Sequence, residues 1–475
     1  VTASEAILKG LANDGGLYAP EQIPSLQVSL EDLTKMSYQE IAYVVMKEFL
    51  TDFTEEELKH CINSAYDKKF DIPEIAAMHE ADGAHFLELF HGATIAFKDM
   101  ALSILPYLLT TSAKKNHVKN EIVILTATSG DTGKAALAGF QDVPGTKIIV
   151  FYPKSGVSPI QEKQMVTQRG ENTYVVGIHG NFDDAQTGVK NMFNDKELAK
   201  VMDEAGYQFS SANSINIGRL VPQIVYYVYA YGQLLKKGDI TCGEKINVVV
   251  PTGNFGNILA AFYAKNMGLP IETLYCASNE NNVLADFFKT GTYDRNRAFH
   301  TTISPSMDIL VSSNLERLLY SVCGDDKQVA EYMRSLSEKG SYTVSKEIFK
   351  VLSDNFVGGF CTDADTKATI ANVYNEHGYL IDTHTAVAYK LILEHKTDRP
   401  TVVVSTASPF KFCDSVLDAL GEKTDASGVE LIEKLAFFTG NAAPAPLCGL
   451  DKRPVRFETV IEKQAMKQAV IEFLE

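Results

Sequence analysis

Three short segments concentrate residue types that bind or activate small molecules. The first, FLELFHGATIAFKD at 86–99, passes from an apolar strand pattern through a turn into the start of a helix, and Lys98 falls at that junction. Burial and the positive end of a helix both disfavour an ammonium ion, which leaves an amine able to attack an aldehyde or move a proton. Composition alone reads Lys98 at least as readily as a solvated lysine beside Asp99, because exposed lysines are the rule. His91 in the same segment is expected to hold the turn rather than act as a base. The second segment, TATSGDTG at 126–133, lies between a strand pattern and a helix pattern. Its hydroxyls and backbone N–H groups make a seat for a carboxylate or phosphate, although an ordinary capped turn would look the same. It is not a Walker loop, which requires glycine at 128 and Ser/Thr at 135, where this chain has Thr128 and Ala135. The third, VPTGNFGN at 250–257, has two glycines that let the backbone close around one phosphate. It lacks the G-x-G-x-x-G spacing of a dinucleotide site.

Such loops must be held by strands, and apolar runs at 86–90, 121–127, 147–152, 174–178, 246–250, 273–277 and 401–405 supply candidates. Helix-period segments follow most of them, which predicts an α/β fold with parallel sheets covered on both faces. Ligands then belong at the carboxyl ends of the strands, where the three segments fall. Residues 1–82 read as a mainly helical N-terminal domain, with helices over 37–51 and 54–66. Residues 83–235 form one expected α/β half, with Lys98 and the 126–133 loop. Residues 236–475 form the other, with the glycine loop, a helical insertion at about 280–400 and an amphipathic helix over 458–474.

The charge balance excludes several functions. With 44 basic and 60 acidic residues the net charge is −16, which repels nucleic acid and anionic membranes, so neither is an expected partner. The seven scattered cysteines include no C-x-x-C pair, which suits reduced thiols in the cytoplasm and no metal site. No apolar signal region is visible, and a start at Val1 suggests that a few residues precede it. The tripeptides KTG at 289–291 and SDN at 353–355, with S-x-x-K at 408–411, carry the signatures of serine penicillin-binding enzymes in reverse order, so that chemistry is discarded.

The blocks LANDGGLYAP at 11–20, LFHGATIAFKD at 89–99, ATSGDTG at 127–133, GNFDD at 180–184 and NSINIGRL at 213–220 resemble the threonine synthases of bacteria and fungi. So do PTGNFGN at 251–257, SPSMDI at 304–309, SSNLER at 312–317 and STASP at 405–409, and the resemblance runs nearly end to end. It implies a tryptophan-synthase-β-like fold (fold type II) with pyridoxal 5′-phosphate in a cleft between two α/β halves. In that reading Lys98 carries the cofactor, Gly253, Asn254, Phe255, Gly256 and Asn257 hold its phosphate, and Thr406 faces its pyridine nitrogen. The implied reaction converts O-phospho-L-homoserine and water into L-threonine and phosphate, in a monomer or homodimer. Thr128, Ser129 and Thr132 would hold the substrate carboxylate, Asp131 would also belong to the substrate site, and Lys163 and Arg219 would meet the substrate phosphate, with Lys154 and Arg169 as lesser candidates. Asn216 or Asn213 would lie against the cofactor's 3′ oxygen, where a carboxylate such as Asp131 would repel a phenolate. Ala93, Asn257 and the 408–410 segment depart from the family's usual proline, aspartate and His/Ala-containing sequence. A serine/threonine dehydratase-like lyase and a non-catalytic homologue binding the cofactor or a phospho-metabolite are the competing readings.

Overall fold

Three helices of the N-terminal region begin with capping boxes, in which a hydroxyl and a carboxylate each take an orphan backbone N–H. Thr2 and Glu5 open Ala3–Lys9, Ser37 and Glu40 open Tyr38–Met46, and Thr54 and Glu57 open Glu55–Ala65. The computed structural model describes residues 1–128 and 130–474, so Ser129 lies outside the described residues.

In chain order the strands are β1 (Ala77–Ala81), β2 (Ala84–Glu88), β3 (Glu121–Ala127), β4 (Thr146–Pro153), β5 (Thr173–His179), β6 (Tyr207–Ser210) and β7 (Ile246–Pro251). β8 (Ile271–Ser278), β9 (Thr292–Asp294), β10 (Ser341–Thr343), β11 (Phe356–Phe360), β12 (Thr401–Ser405) and β13 (Val460–Glu462) follow. A six-stranded sheet has the order β1-β2-β12-β7-β8-β11 and is parallel apart from the β1–β2 pair. A five-stranded, wholly parallel sheet has the order β13-β5-β4-β3-β6. β7 and β12 are buried along their whole length, as expected for parallel strands with helices on both faces.

The chain does not complete one sheet before starting the other. β2, just before Lys98, pairs with β12, while β13 near the C terminus returns to β5 in the smaller sheet. Three expected helices differ in extent, and the one expected over 37–51 spans only Tyr38–Met46. The run after Lys98 is split into Asp99–Leu102 and Leu105–Lys115, because Pro106 in the first turn of the second has no N–H to continue the first. The segment 458–474 is β13 followed by a helix over Met466–Leu474, since Val460 and Ile461 fill the open edge beside Gly177 and Ile178. Within 280–400, helices predominate, but β11 extends the six-stranded sheet and β9 and β10 make a small sheet of their own.

β2, β12 and β7 are neighbours running in one direction, so the loops at their carboxyl ends emerge side by side. Phe97 N–H donates to the Thr406 carbonyl at 2.8 Å and Ser408 N–H to the Ile95 carbonyl at 3.0 Å. This short backbone ladder, centred on the Ala96–Ala407 bridge, fixes the lysine segment to the Thr406 segment.

Candidate active site

A cavity lies where these loops meet the end of β3 from the other sheet, and its lining includes Lys98, Asp131, Thr132, Arg219, residues 253–257 and Thr406. Lys98 caps the helix Asp99–Leu102. Burial pulls its amine down to about 8; Asp131 opposes this, while Lys411 and Arg219 add to it. The residue after it is fixed too, because Asp99 accepts the Thr94 N–H at 2.8 Å and the Thr94 hydroxyl at 2.6 Å.

The glycine loop leads into the helix Gly256–Asn266. A Cβ at Gly253 would lie 2.5 Å from the Ser306 carbonyl oxygen, so only glycine fits. Phe255 sits in the left-handed region at φ +67°, a strained conformation for phenylalanine. Its buried ring holds it there, with ring centroids 5.9 Å from Phe288 and 6.0 Å from Phe356.

Arg219 and Asn257 each contribute a buried donor without a partner among the described residues, Nε and Nδ2 respectively. Arg219 is 4% exposed, gives Nη1 to the Ala212 carbonyl, and burial pulls its guanidinium down to about 10. A buried donor left unpaired is costly, so two of them at one cavity mark a place for an anion.

Asp131 is where the two sheets' loops meet. Burial alone would push its carboxyl up, but Lys411, Lys98, a hydrogen bond from Gln161 and His384 together hold it well below the usual carboxylate range. Lys411 Nζ lies 3.3 Å from it, Gln161 Nε2 donates at 2.9 Å and the Ser306 hydroxyl at 3.5 Å. Lys411 also donates to the Thr94 carbonyl at 3.0 Å, one step from the turn that presents Lys98.

Three sequence-derived candidates lie elsewhere. Thr128 is buried under its own turn, where its Oγ1 accepts the N–H groups of Gly130 and Gly133 at 3.0 and 2.9 Å, and it does not line the cavity. Asn216 caps the helix Ile217–Lys237 through the Gly218 N–H and donates to the Ile7 carbonyl, so it ties this helix to the N-terminal segment. Lys163 is half-buried on the helix Pro159–Val166 and does not line the cavity. Asn213 does line it. His91, bridging Asp71 and Glu88 at 2.7 and 2.8 Å, serves the turn and stays outside the cavity.

Four contributors escaped sequence reasoning. Gln223 lies one helical turn after Arg219 and lines the cavity beside it. Ser306 and His384 also line the cavity: His384 Nδ1 lies 2.8 Å from Asp382, and its Nε2 accepts the Ser306 N–H at 3.2 Å. Lys411 reaches Asp131 from behind, as just described. Available signals were the SPSMDI block for Ser306 and an Asp-capped helix start for His384, though such a cap is common to many helices.

The sequence profile for the N terminus of threonine synthase matches residues 1–66, that for pyridoxal-phosphate-dependent enzymes matches 71–407, and that for the threonine synthase C-terminal region matches 385–471. Threonine synthase of Saccharomyces cerevisiae is 37% identical over 454 residues, covering 88% of this chain and 87% of that protein. The chain belongs to the threonine synthase family of pyridoxal-phosphate-dependent enzymes. Human threonine synthase-like 1 is 40% identical over 432 residues and 88% of this chain, which spans only 58% of that protein's length. The crystal structure of pyridoxal-phosphate-bound threonine synthase from Brucella melitensis superposes with a TM-score of 0.89 at 35% identity, over 100% of this chain and 97% of that one.

The residues present fit the family's cofactor. A deprotonatable lysine, a glycine loop at a helix N terminus and buried unpaired donors face one cavity, as an aldehyde carrying a phosphate demands. Thr406, 4% exposed and fixed through its carbonyl to Phe97, lines the same cavity. Among the described residues no cluster of His, Cys, Asp and Glu could hold a metal ion, and no helix is long and apolar enough to cross a membrane.

Proposed function

We propose that this chain binds pyridoxal 5′-phosphate through Lys98 and converts O-phospho-L-homoserine and water into L-threonine and phosphate. The observation that carries this reading is Lys98 itself: an amine lowered to about 8 by burial, tied by backbone to Thr406, and sharing a cavity with the glycine loop and two unpaired donors. When bound, the cofactor supplies an aldehyde for amines and a ring that draws electrons from the substrate's α-carbon.

The chain's own groups supply the rest. Residues 253–257 hold the cofactor phosphate at the start of the helix Gly256–Asn266, and Thr406 leaves the ring nitrogen unprotonated. Lys98, as a neutral amine, takes the proton from the substrate Cα and moves protons at Cβ. Thr132 and the first turn of the helix Asp131–Phe140 receive the substrate carboxylate. Arg219, buried and with no carboxylate partner among the described residues, stabilises the phosphate leaving from Cγ. Asp131, kept anionic by Lys411, orients the ammonium form of an amine approaching Lys98. The seven cysteines, all free, support a reducing, cytoplasmic setting, and we take the enzyme to act as a monomer or homodimer.

The test is incubation of the purified protein with O-phosphohomoserine, assaying threonine and inorganic phosphate, beside borohydride trapping and peptide mapping. Equal release of both products and a label on Lys98 are expected, with both lost in Lys98→Ala. Release of pyruvate from serine or 2-oxobutyrate from threonine, with no phosphate released from O-phosphohomoserine, would replace this reading with the dehydratase-like one, and a label on another lysine would remove Lys98 from its role.

A further inference from the structure

The helix Ile217–Lys237 presents Arg219, Gln223, Tyr226 and Tyr227 along one face, at helical positions i, i+4, i+7 and i+8. Both phenols are buried and converge on one atom. Tyr226 donates to Asn257 Oδ1 at 2.7 Å and Tyr227 donates to the same oxygen at 2.5 Å. Tyr226 has a second acceptor in Gln223 Oε1 at 3.1 Å, whereas Tyr227 shares Asn257 Oδ1 and, beyond it, has the neighbouring Tyr226 hydroxyl beside it. Turning the amide over would leave the buried Tyr227 hydroxyl with no carbonyl to donate to, only the Tyr226 hydroxyl beside it, a cost that favours Oδ1 toward the phenols. The consequence falls on the other end of the amide. Asn257 is 7% exposed and lines the cavity, and its Nδ2 has no partner among the described residues.

We propose that Tyr226 and Tyr227 are positioning residues that orient the Asn257 amide, so that Nδ2 is held as a side-chain donor to the cofactor phosphate resting in the 253–257 loop. This rests on the reading that the chain binds pyridoxal phosphate. With both phenols donating to Oδ1, and Tyr227 the more dependent on it, the nitrogen faces the anion before it arrives. The loop's backbone N–H groups are thereby joined by a neutral donor that adds no charge beside Arg219.

The role differs from simple packing because it acts only through Asn257 and only on a phosphate. The experiment is equilibrium titration of the apo-protein with pyridoxal 5′-phosphate and, separately, with pyridoxal, followed by the visible absorption band. The proteins compared are wild type, Tyr226→Phe/Tyr227→Phe, Asn257→Ala and the triple variant, each first checked for native circular dichroism. The double variant is expected to bind pyridoxal phosphate about tenfold more weakly, the scale of one hydrogen bond to a charged group. Asn257→Ala should lose a similar factor, and removing both hydroxyls in the Asn257→Ala background should change affinity by less than about twofold. Pyridoxal affinity should be the same in all four. Where the double variant does not fold, Tyr227→Phe alone replaces it. An equal loss in the Asn257→Ala background, or an equal loss for pyridoxal, would overturn the positioning role, as would unchanged affinity in the double variant. Failure of the wild type to bind pyridoxal phosphate would instead remove the cofactor reading beneath it.

Discussion

An ammonium group moved from water into a protein cavity loses hydration that few neighbours can replace, so its proton leaves more easily. At Lys98 this burial dominates, and Asp131 offsets part of it while Lys411 and Arg219 repel the same charge. The neutral amine is the form that attacks an aldehyde, so its population sets the rate of cofactor capture. In the apo-protein the initial rate at which the visible band appears should rise about tenfold per pH unit below pH 8 and level off above about 8. An ordinary lysine would continue to gain until about pH 10.4, so a rate still climbing at pH 10 would refute the buried-amine account. The sequence pointed to Lys98 through its junction of strand and helix, and to Thr132 and Arg219 through donor chemistry. It could not separate these from Thr128 and Asn216, which have the same chemistry but spend it on neighbouring backbone. Whether a hydroxyl is free depends on where a turn folds back, and composition does not encode that. Lys411 shows the converse: its meaning comes from Asp131, which is 280 positions away in the chain and 3.3 Å away in space.

At the level of elements, the strands legible in the sequence were those with neighbours on both sides. The runs at 121–127 and 401–405 match β3 and β12 end to end, and all seven expected strands are present. The four strands missed in the two large sheets are β1, β11, β13 and β6, which are the four sheet edges. An edge strand is short and partly solvated, so its sequence carries no apolar run: AMHEA, FVGGF, VIE and YQFS. Helix crossings were equally hidden, although one sets the site. The helix Asp131–Phe140 passes so close to Asp99–Leu102 that a Cβ at Gly139 would sit 2.1 Å from the Leu102 carbonyl oxygen. Alanine is a better helix former than glycine by about 1 kcal/mol, so propensity and packing make opposite predictions for Gly139→Ala. Backbone oxygen cannot swing aside as a side chain would, and overpacking costs about 1–3 kcal/mol. A lowered urea midpoint is expected, with weaker cofactor capture because Asp131 and Lys98 are carried by the two helices pushed apart. A raised midpoint would mean that the crossing relaxes freely and does not set the distance between those residues.

Over the whole molecule, the chain's path makes each half depend on residues remote in sequence. β2 belongs to the six-stranded sheet although β3 to β6, which follow it in the chain, build the other, and the last strand in the chain, β13, returns to that other sheet. The Lys98 loop is therefore clamped to Thr406 by residues more than 300 positions later, so the cavity is complete only when nearly the entire chain has folded. The C-terminal segment tests this dependence. β13 covers the edge of β5, and behind it Met466, Val470 and Leu474 are buried in a cluster with Val123, Ile149 and Val176. Burying each such side chain contributes about 1.5–3 kcal/mol, so the three together contribute about 5–9 kcal/mol, comparable with the entire net stability of about 5–15 kcal/mol typical of a folded domain. Removal of residues 458–475 also leaves the β5 edge open to pairing with another chain. The truncated protein should show raised light scattering and a lower urea midpoint, and its capture of pyridoxal phosphate should fall in parallel with its folded fraction. The ion pairs Lys463–Asp184 and Lys467–Asp195, at 2.7 and 2.6 Å, are solvent-exposed and contribute little, so Lys463→Ala/Lys467→Ala should leave the midpoint nearly unchanged. A truncation that keeps the wild-type midpoint would show that the five-stranded sheet stands without its last strand, and that the C-terminal segment is an addition to the fold rather than part of its core.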